Sequence, residues 1–306
     1  MTTVPSIPDL YSGGHRLDPA PDCLGRLVDS SDVRHNPDAL RERMDTDGYL
    51  LIRDFFDRDA VVKGRRDVLT RLASEGLLDP DTDLMLGKAR EGVAAYFRPD
   101  IAMATASVQS VIYGDRMMRF MDAFLGEPSR HYDYTWMRTI SPGKGTYPHC
   151  DIVYMGRGTP RVYTAWVPFA DIDFALGGLM VLEGSHHRVH LLGGYTSFDV
   201  DTVCQNPEGG RNLLEKNGFN HFGAITYDPV ELRGRLGGRW LTEEYRMGDL
   251  LLFSIVTVHA SLDNRSDRIR ISTDSRYQAA SEPIDERWVG EEPPAHGGKM
   301  VREMIC

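Results

Sequence analysis

Cysteine and lysine are both scarce in this chain. The four cysteines, Cys23, Cys150, Cys204 and Cys306, stand far apart with no C-x-x-C spacing, which argues against a disulfide framework or a zinc knuckle and makes a reducing cytoplasm the expected compartment. Only five of the 35 basic residues are lysine, an arginine bias of the kind a high-GC bacterial genome produces. No run approaches the roughly 18 apolar residues that a membrane span needs. Met1–Pro21 carries prolines and glycines but no apolar segment, and does not read as a signal peptide. The formal charge of -10 argues against nucleic acid, whose binding rests on Lys and Arg neutralising phosphates. Internal repeats and low-complexity tracts are also missing. The expected partner is therefore a small molecule, with neither nucleic acid nor membrane, and the oligomeric state is left open.

What remains is a chain of 306 residues, 41% hydrophobic and 26% charged, able to bury a sizeable core. Residues 1–35 read as an irregular lead-in. Asn36-Pro37-Asp38 then caps a helix to about Asp45, with proline in its first turn. Helical spacing of Val61, Val62, Val68, Leu69 and Leu72 predicts a second helix over Asp59–Glu75, and a third is expected over Ser107–Leu125. Strands are expected over Tyr132–Ile140, Tyr147–Met155, Arg161–Phe169, Leu179–Leu182, Gly248–Thr257 and Ile269–Gln278. Helices feeding an array of strands fit a mainly β fold with flanking helices, a double-stranded β-helix or jelly roll of the cupin kind. The expected domain covers residues 36–285, with a tail at 286–306. Residues 190–241, rich in Gly, Asn and charge, are too long for a plain connector and read as a lid, or else as a surface excursion or oligomer contact.

The chemistry-bearing residues begin with His149-Cys150-Asp151. If the stretch is a strand, His149 and Asp151 share a face and Cys150 turns away. The triplet alone is weak evidence, but a long apolar run, Leu250–Val258, delivers His259 at its end. Two imidazoles and a carboxylate are the ligand set of non-haem iron(II) oxygenases, which leaves metal positions open for co-substrate and dioxygen. The turn chemistry of Asp263–Asp267 would return the chain so that Arg270 lies beside the strand carrying His259. A guanidinium buried there needs an anionic partner, and the distal carboxylate of 2-oxoglutarate is a natural one. Ser261, on the face of His259, either donates to that carboxylate or caps the turn. Trp166 and Thr164 share a face and either wall the pocket or pack in the core. Tyr134 and Trp136 carry the same two readings. His131, His190 and His221 have no partners at ligand spacing.

His259-Ala-Ser261-Leu-Asp-Asn264-Arg-Ser266-Asp-Arg-Ile-Arg270 resembles the C-terminal pattern of the phytanoyl-CoA dioxygenase family of iron(II)/2-oxoglutarate oxygenases. Trp166, Asp171, Gly177-Gly178-Leu179 and Gly184-Ser185-His186 match its middle block, and Asp47-Gly48-Tyr49 matches its N-terminal signature. Glu183 departs from the proline usual before Gly-Ser-His. The resemblance spans about residues 36–280. It implies iron(II) held by His149, Asp151 and His259, 2-oxoglutarate as co-substrate and dioxygen as oxidant. It also gives His186 a structural role. Asp151 points to hydroxylation, desaturation, epoxidation or ring formation, since halogenating relatives have a small residue at that position. A small natural-product or amino-acid-like substrate is expected. A divalent-metal hydrolase with the same ligands and a catalytically silent jelly-roll binding module are the alternatives.

Overall fold

The computed structural model describes residues 9–95, 97–201 and 223–296. The N-terminal part holds β1 (Tyr11–Ser12), β2 (His15–Arg16), β3 (Leu24–Arg26), α1 (Pro37–Asp47), β4 (Tyr49–Ile52) and α2 (Arg58–Ser74). Helices α3 (Pro99–Ala104), α4 (Ala106–Ile112) and α5 (Asp115–Leu125) follow, then β5 (Ser129–His131), β6 (Trp136–Ile140) and a one-turn α6 (Ile152–Met155). The chain continues through β7 (Tyr163–Pro168), β8 (Leu179–Leu182), α7 (Pro229–Leu236), β9 (Trp240–Thr242), β10 (Leu250–Ser254), β11 (His259–Ser261) and β12 (Arg270–Ala279).

Two sheets face each other. The larger runs β4-β10-β7-β12-β5, with β6 also paired to β12, and the smaller runs β11-β8-β9-β3. Period-two alternation divides the large sheet into two faces. Leu50, Ile52, Leu250, Leu252, Ala165, Val167, Ile271 and Tyr277 turn outward onto a layer built from α1, α2 and the α3–α5 segment. Tyr49, Leu51, Leu251, Phe253 and Trp166 turn inward against Leu179, Val181 and Leu241 of the small sheet. On the small sheet's other face Met180, Leu182 and Trp240 pack with Leu232 and Leu236 of α7. This is the double-stranded β-helix, with the helical layer α1–α5 on the large sheet and α7 on the small one.

The helix signals operate as local chemistry requires. The Asn36 side chain accepts the Ala39 N–H at 3.2 Å, Pro37 opens α1, and Gly48 closes it in the left-handed conformation. The expected helix over 107–125 is broken at Tyr113-Gly114, where Gly114 starts α5. Of the expected strand 132–140 only Trp136–Ile140 forms, as β6, and β5 lies just before it. The lead-in is less irregular than its composition suggests, since Leu24–Arg26 joins the small sheet parallel to Trp240–Thr242.

Two corrections bear on the site. Tyr147–Met155 is not a strand. His149 forms a single bridge with His259, exchanging both backbone hydrogen bonds at 3.0 Å, and the chain then turns into α6. Arg270 does not lie beside His259 in one sheet. β11 pairs with β8, whereas β12 pairs with β6 and β7, so the turn at 262–269 crosses from the small sheet to the large one. Buried Asn264 holds that crossing, donating to the Ile140 and Arg268 carbonyls at 3.0 and 2.7 Å. Of the 190–241 insert, residues 202–222 lie outside the described residues.

Gly64 sits inside α2, where a Cβ would come within 2.7 Å of the buried Phe169 ring. Gly→Ala in a helix interior ordinarily gains about 1 kcal/mol. Here overpacking against a fixed ring reverses the sign, and Gly64→Ala is expected to lose about 1–3 kcal/mol in urea unfolding.

Candidate active site

His149, Asp151 and His259 meet between the sheets, each at most 4% exposed. Their nearest ligand atoms all lie within 4.8 Å of one another. Nε2 of His149 and Nε2 of His259 each stand 3.8 Å from Asp151 Oδ1. Atoms bound about 2.1 Å from one ion stand roughly 3–3.5 Å apart, so a small closure completes the set.

The sequence places these three groups by different devices. His149 and His259 are fixed by their mutual backbone bridge. Their Nδ1 atoms donate to the carbonyls of Tyr147 (2.8 Å) and Thr257 (3.0 Å), which assigns the tautomer and turns both Nε2 lone pairs toward Asp151. Asp151 heads the short α6, and Ile152 N–H is tied to the Ile255 carbonyl at 2.9 Å. Cys150, between them, is fully buried and faces the Val256 carbonyl, with burial pushing its thiol well above the usual range.

Electrostatics favour a cation. Burial alone would raise the Asp151 pKa, but Arg276, His259, His149 and the Thr164 hydrogen bond outweigh it and hold the carboxyl well below the usual range. Burial lowers both histidines, so the imidazoles are neutral beside an ionised carboxylate. His149 Nε2 is buried with no hydrogen-bond partner among the described residues. An orphaned lone pair of that kind, two fixed tautomers and one carboxylate oxygen fit a divalent metal ion.

The other Asp151 oxygen is fully engaged. Oδ2 accepts from Thr164 Oγ1 at 2.5 Å and from Arg276 Nη2 at 2.8 Å. Thr164 therefore orients the carboxylate, a third role beside the two expected of it. Arg276 was missed. Alternation along the expected strand Ile269–Gln278 places Arg270, Ser272, Asp274 and Arg276 on one buried face. A charged stripe on a core strand was the available signal.

Arg270 is 1% exposed, and its Nη1 donates to the Gly177 carbonyl. Gly177 needs a positive φ of 78°, and a Cβ there would meet the Leu262 and Asp263 carbonyls at 2.7 Å. Ser261 Oγ accepts the Thr146 N–H at 2.8 Å, bracing the approach to His149 and keeping its own proton free to donate. Trp166 is core, edge-on to Tyr245 with ring centroids 4.6 Å apart. Tyr134 and Trp136 pack on each other and on Trp288, with Trp136 under the Arg276 guanidinium.

Several matched motif residues prove to be braces. Ser185 Oγ accepts the Val258 N–H at 2.9 Å and so sets the start of β11. His186 and His187 both hydrogen-bond the Asp45 carbonyl. Asp171 pairs with Arg58 and accepts the Met247 N–H. Glu183 pairs with Arg239, giving the proline-to-glutamate departure a surface contact and no part in the centre.

A buried centre of two histidines and one carboxylate inside a jelly roll is the arrangement of non-haem iron(II) oxygenases. The family model for phytanoyl-CoA dioxygenase (PhyH) matches residues 44–272. The chain belongs to the phytanoyl-CoA dioxygenase family and is an iron(II)- and 2-oxoglutarate-dependent dioxygenase. It is 26% identical over 274 residues to the 1-deoxypentalenic acid 11-beta-hydroxylase of Streptomyces exfoliatus, covering 85% of this chain and 87% of that relative. Over 277 residues it is 24% identical to the protein of the same name from Streptomyces arenae, with 85% and 87% covered. Among solved structures it shares its fold with the non-haem α-ketoglutarate-dependent epimerase SnoN from nogalamycin biosynthesis, at TM-score 0.54 and 18% identity, with 88% and 97% of the two chains covered. EctD from S. alaskensis aligns at TM-score 0.54 and 20% identity over 94% of each chain. No helix among the described residues is long and apolar enough to cross a membrane.

Thr164→Val removes one of two donors that orient Asp151. The expected result is a loss of divalent-metal affinity of about tenfold, the usual scale for an outer partner of a metal ligand, read by anaerobic metal titration.

Proposed function

We propose that this chain oxidises an unactivated C–H bond of a small natural-product molecule, most simply by hydroxylation, with His149, Asp151 and His259 as its iron ligands. The observation that carries this is the convergence of two tautomer-fixed imidazoles on one oxygen of a buried carboxylate. Ferrous iron bound there supplies the redox chemistry by which dioxygen and 2-oxoglutarate yield succinate, carbon dioxide and an oxidised substrate.

The protein's own part is positional. Arg270, deep between the sheets, is assigned the distal carboxylate of 2-oxoglutarate, with the Ser261 hydroxyl as second donor. Thr164 and Arg276 keep Asp151 one-armed, so that it occupies a single metal position and leaves room for the co-substrate. The apolar faces around the centre exclude water and hold one C–H bond in place.

The hydroxylase name of the two Streptomyces relatives supports the reaction type, and the 1-deoxypentalenic acid in that name supports a natural-product substrate over an amino-acid-like one. The insert is assigned to substrate choice. Tyr195 Oη accepts the Cys150 N–H at 3.2 Å, tying the start of the insert to the residue between two proposed ligands.

Anaerobic addition of iron(II) and 2-oxoglutarate should give the weak visible charge-transfer band of a chelated 2-oxo acid. His259→Ala is expected to abolish it. Arg270→Ala should raise the 2-oxoglutarate midpoint about a hundredfold, the loss of a two-point charged contact. A wild-type protein that binds iron and shows no band contradicts the assignment.

A further inference from the structure

Trp288 and His296 belong to a C-terminal segment that packs into the interior instead of trailing from it. Asp285, Trp288 and His296 are at most 6% exposed, and the Trp288 carbonyl accepts the Asp133 and Tyr134 N–H groups at 2.9 and 3.3 Å. Arg287 ties the segment to its surroundings. Its guanidinium pairs with Asp285 and with Asp201 of the insert, and its Nη2 donates to the Tyr154 carbonyl at 2.9 Å. Tyr154 lies in α6, the turn that Asp151 heads. Aromatic contacts run from the segment to the centre on two sides. The His296 ring centroid lies 6.0 Å from that of Tyr154, which lies 5.7 Å from that of His149. The Trp288 and Trp136 rings are 4.7 Å apart, and Trp136 lies 4.3 Å from Cζ of Arg276, the partner of Asp151.

Two buried polar atoms here, Trp288 Nε1 and His296 Nε2, have no hydrogen-bond partner among the described residues. They are of opposite kind. The indole N–H only donates. His296 Nδ1 lies 2.7 Å from Asp201 Oδ1. Burial would raise that carboxyl, but His296 and Arg287 hold it below the usual range. An ionised carboxylate only accepts, so it places the imidazole proton on Nδ1 and leaves a lone pair on Nε2. The two rings meet edge to face with centroids 4.6 Å apart. A buried donor and a buried acceptor are both costly to leave unsatisfied. A ketone or carboxylate would satisfy only the indole, and an ammonium only the imidazole. A hydroxyl serves both, because it donates and accepts.

Resting on the function proposed above, we infer that Trp288 and His296 are substrate-binding residues that together hold an alcohol hydroxyl of the substrate, Trp288 Nε1 donating to its oxygen and His296 Nε2 accepting its O–H. The C-terminal segment is then one wall of the substrate pocket, and Arg287, which pins it to α6 and to the insert, is a positioning residue.

The test uses the anaerobic protein loaded with iron(II) and 2-oxoglutarate. Formation of the charge-transfer band in wild type first establishes the oxygenase reading on its own. Cyclohexanol and cyclohexanone, the same ring with and without a hydroxyl proton, are then titrated calorimetrically into wild type, His296→Phe and Trp288→Phe. Wild type should bind the alcohol at least about fivefold more tightly, the effect of leaving one buried acceptor unpaired. His296→Phe should lose that preference by weakening the alcohol alone. Trp288→Phe keeps the acceptor, so it should weaken both probes and still favour the alcohol, and it serves if His296→Phe does not fold. Equal binding of the two probes by wild type, as expected if the two atoms hold only water, or binding of neither overturns the inference. So does a His296→Phe protein whose alcohol preference survives or whose main defect is the 2-oxoglutarate midpoint, because His296 would then only pin the segment.

Discussion

An ionised carboxylate in a buried site is the constraint around which this molecule is arranged. Asp151 stays charged because Arg276 and Thr164 occupy one of its oxygens and two neutral imidazoles face the other. Removing water makes each of these interactions stronger and makes any unmatched group more expensive. The arrangement therefore demands backbone that cannot drift. His149 and His259 meet that demand with reciprocal main-chain bonds, and Ser185, Ser261 and Asn264 hold the neighbouring segments in place.

The two sheets divide the labour. The helical layer packs only on the outward face of the large sheet, leaving the inward face for the centre. β12 shows the consequence along one strand. Ile271 and Tyr277 join the helical core, while Arg270, Asp274 and Arg276 line the interior. Putting His259 on one sheet and Arg270 on the other lets the proposed iron ligands and the proposed 2-oxoglutarate contact approach from opposite walls.

Much of this could be read from the residues. Asn36-Pro37 and Gly48 bound a helix through local hydrogen bonding, and Leu179–Leu182 is a strand with the limits its composition implies. The meeting of His149, Asp151 and His259 was legible because His-x-Asp and a distant histidine after an apolar run are rare together. Tertiary constraint overrode local pattern elsewhere. Ile152-Val153-Tyr154-Met155 has strand composition but turns helical, because the chain must bring the Asp151 carboxylate back toward two imidazoles. The turn at 262–269 looks like a hairpin, yet Asn264 ties it to the Ile140 carbonyl of the large sheet while bracing the turn itself at the Arg268 carbonyl. Arg276 escaped notice because its partner, Asp151, lies 125 residues away.

Iron K-edge absorption on the anaerobic iron(II) protein is the measurement that addresses the centre most directly. Scattering from two imidazole rings together with oxygen ligands, and none from sulfur, is the predicted result, with the Cys150 thiol turned away toward the Val256 carbonyl. A sulfur ligand, or the scattering of a single imidazole, would contradict the account of how His149, Asp151 and His259 are brought together.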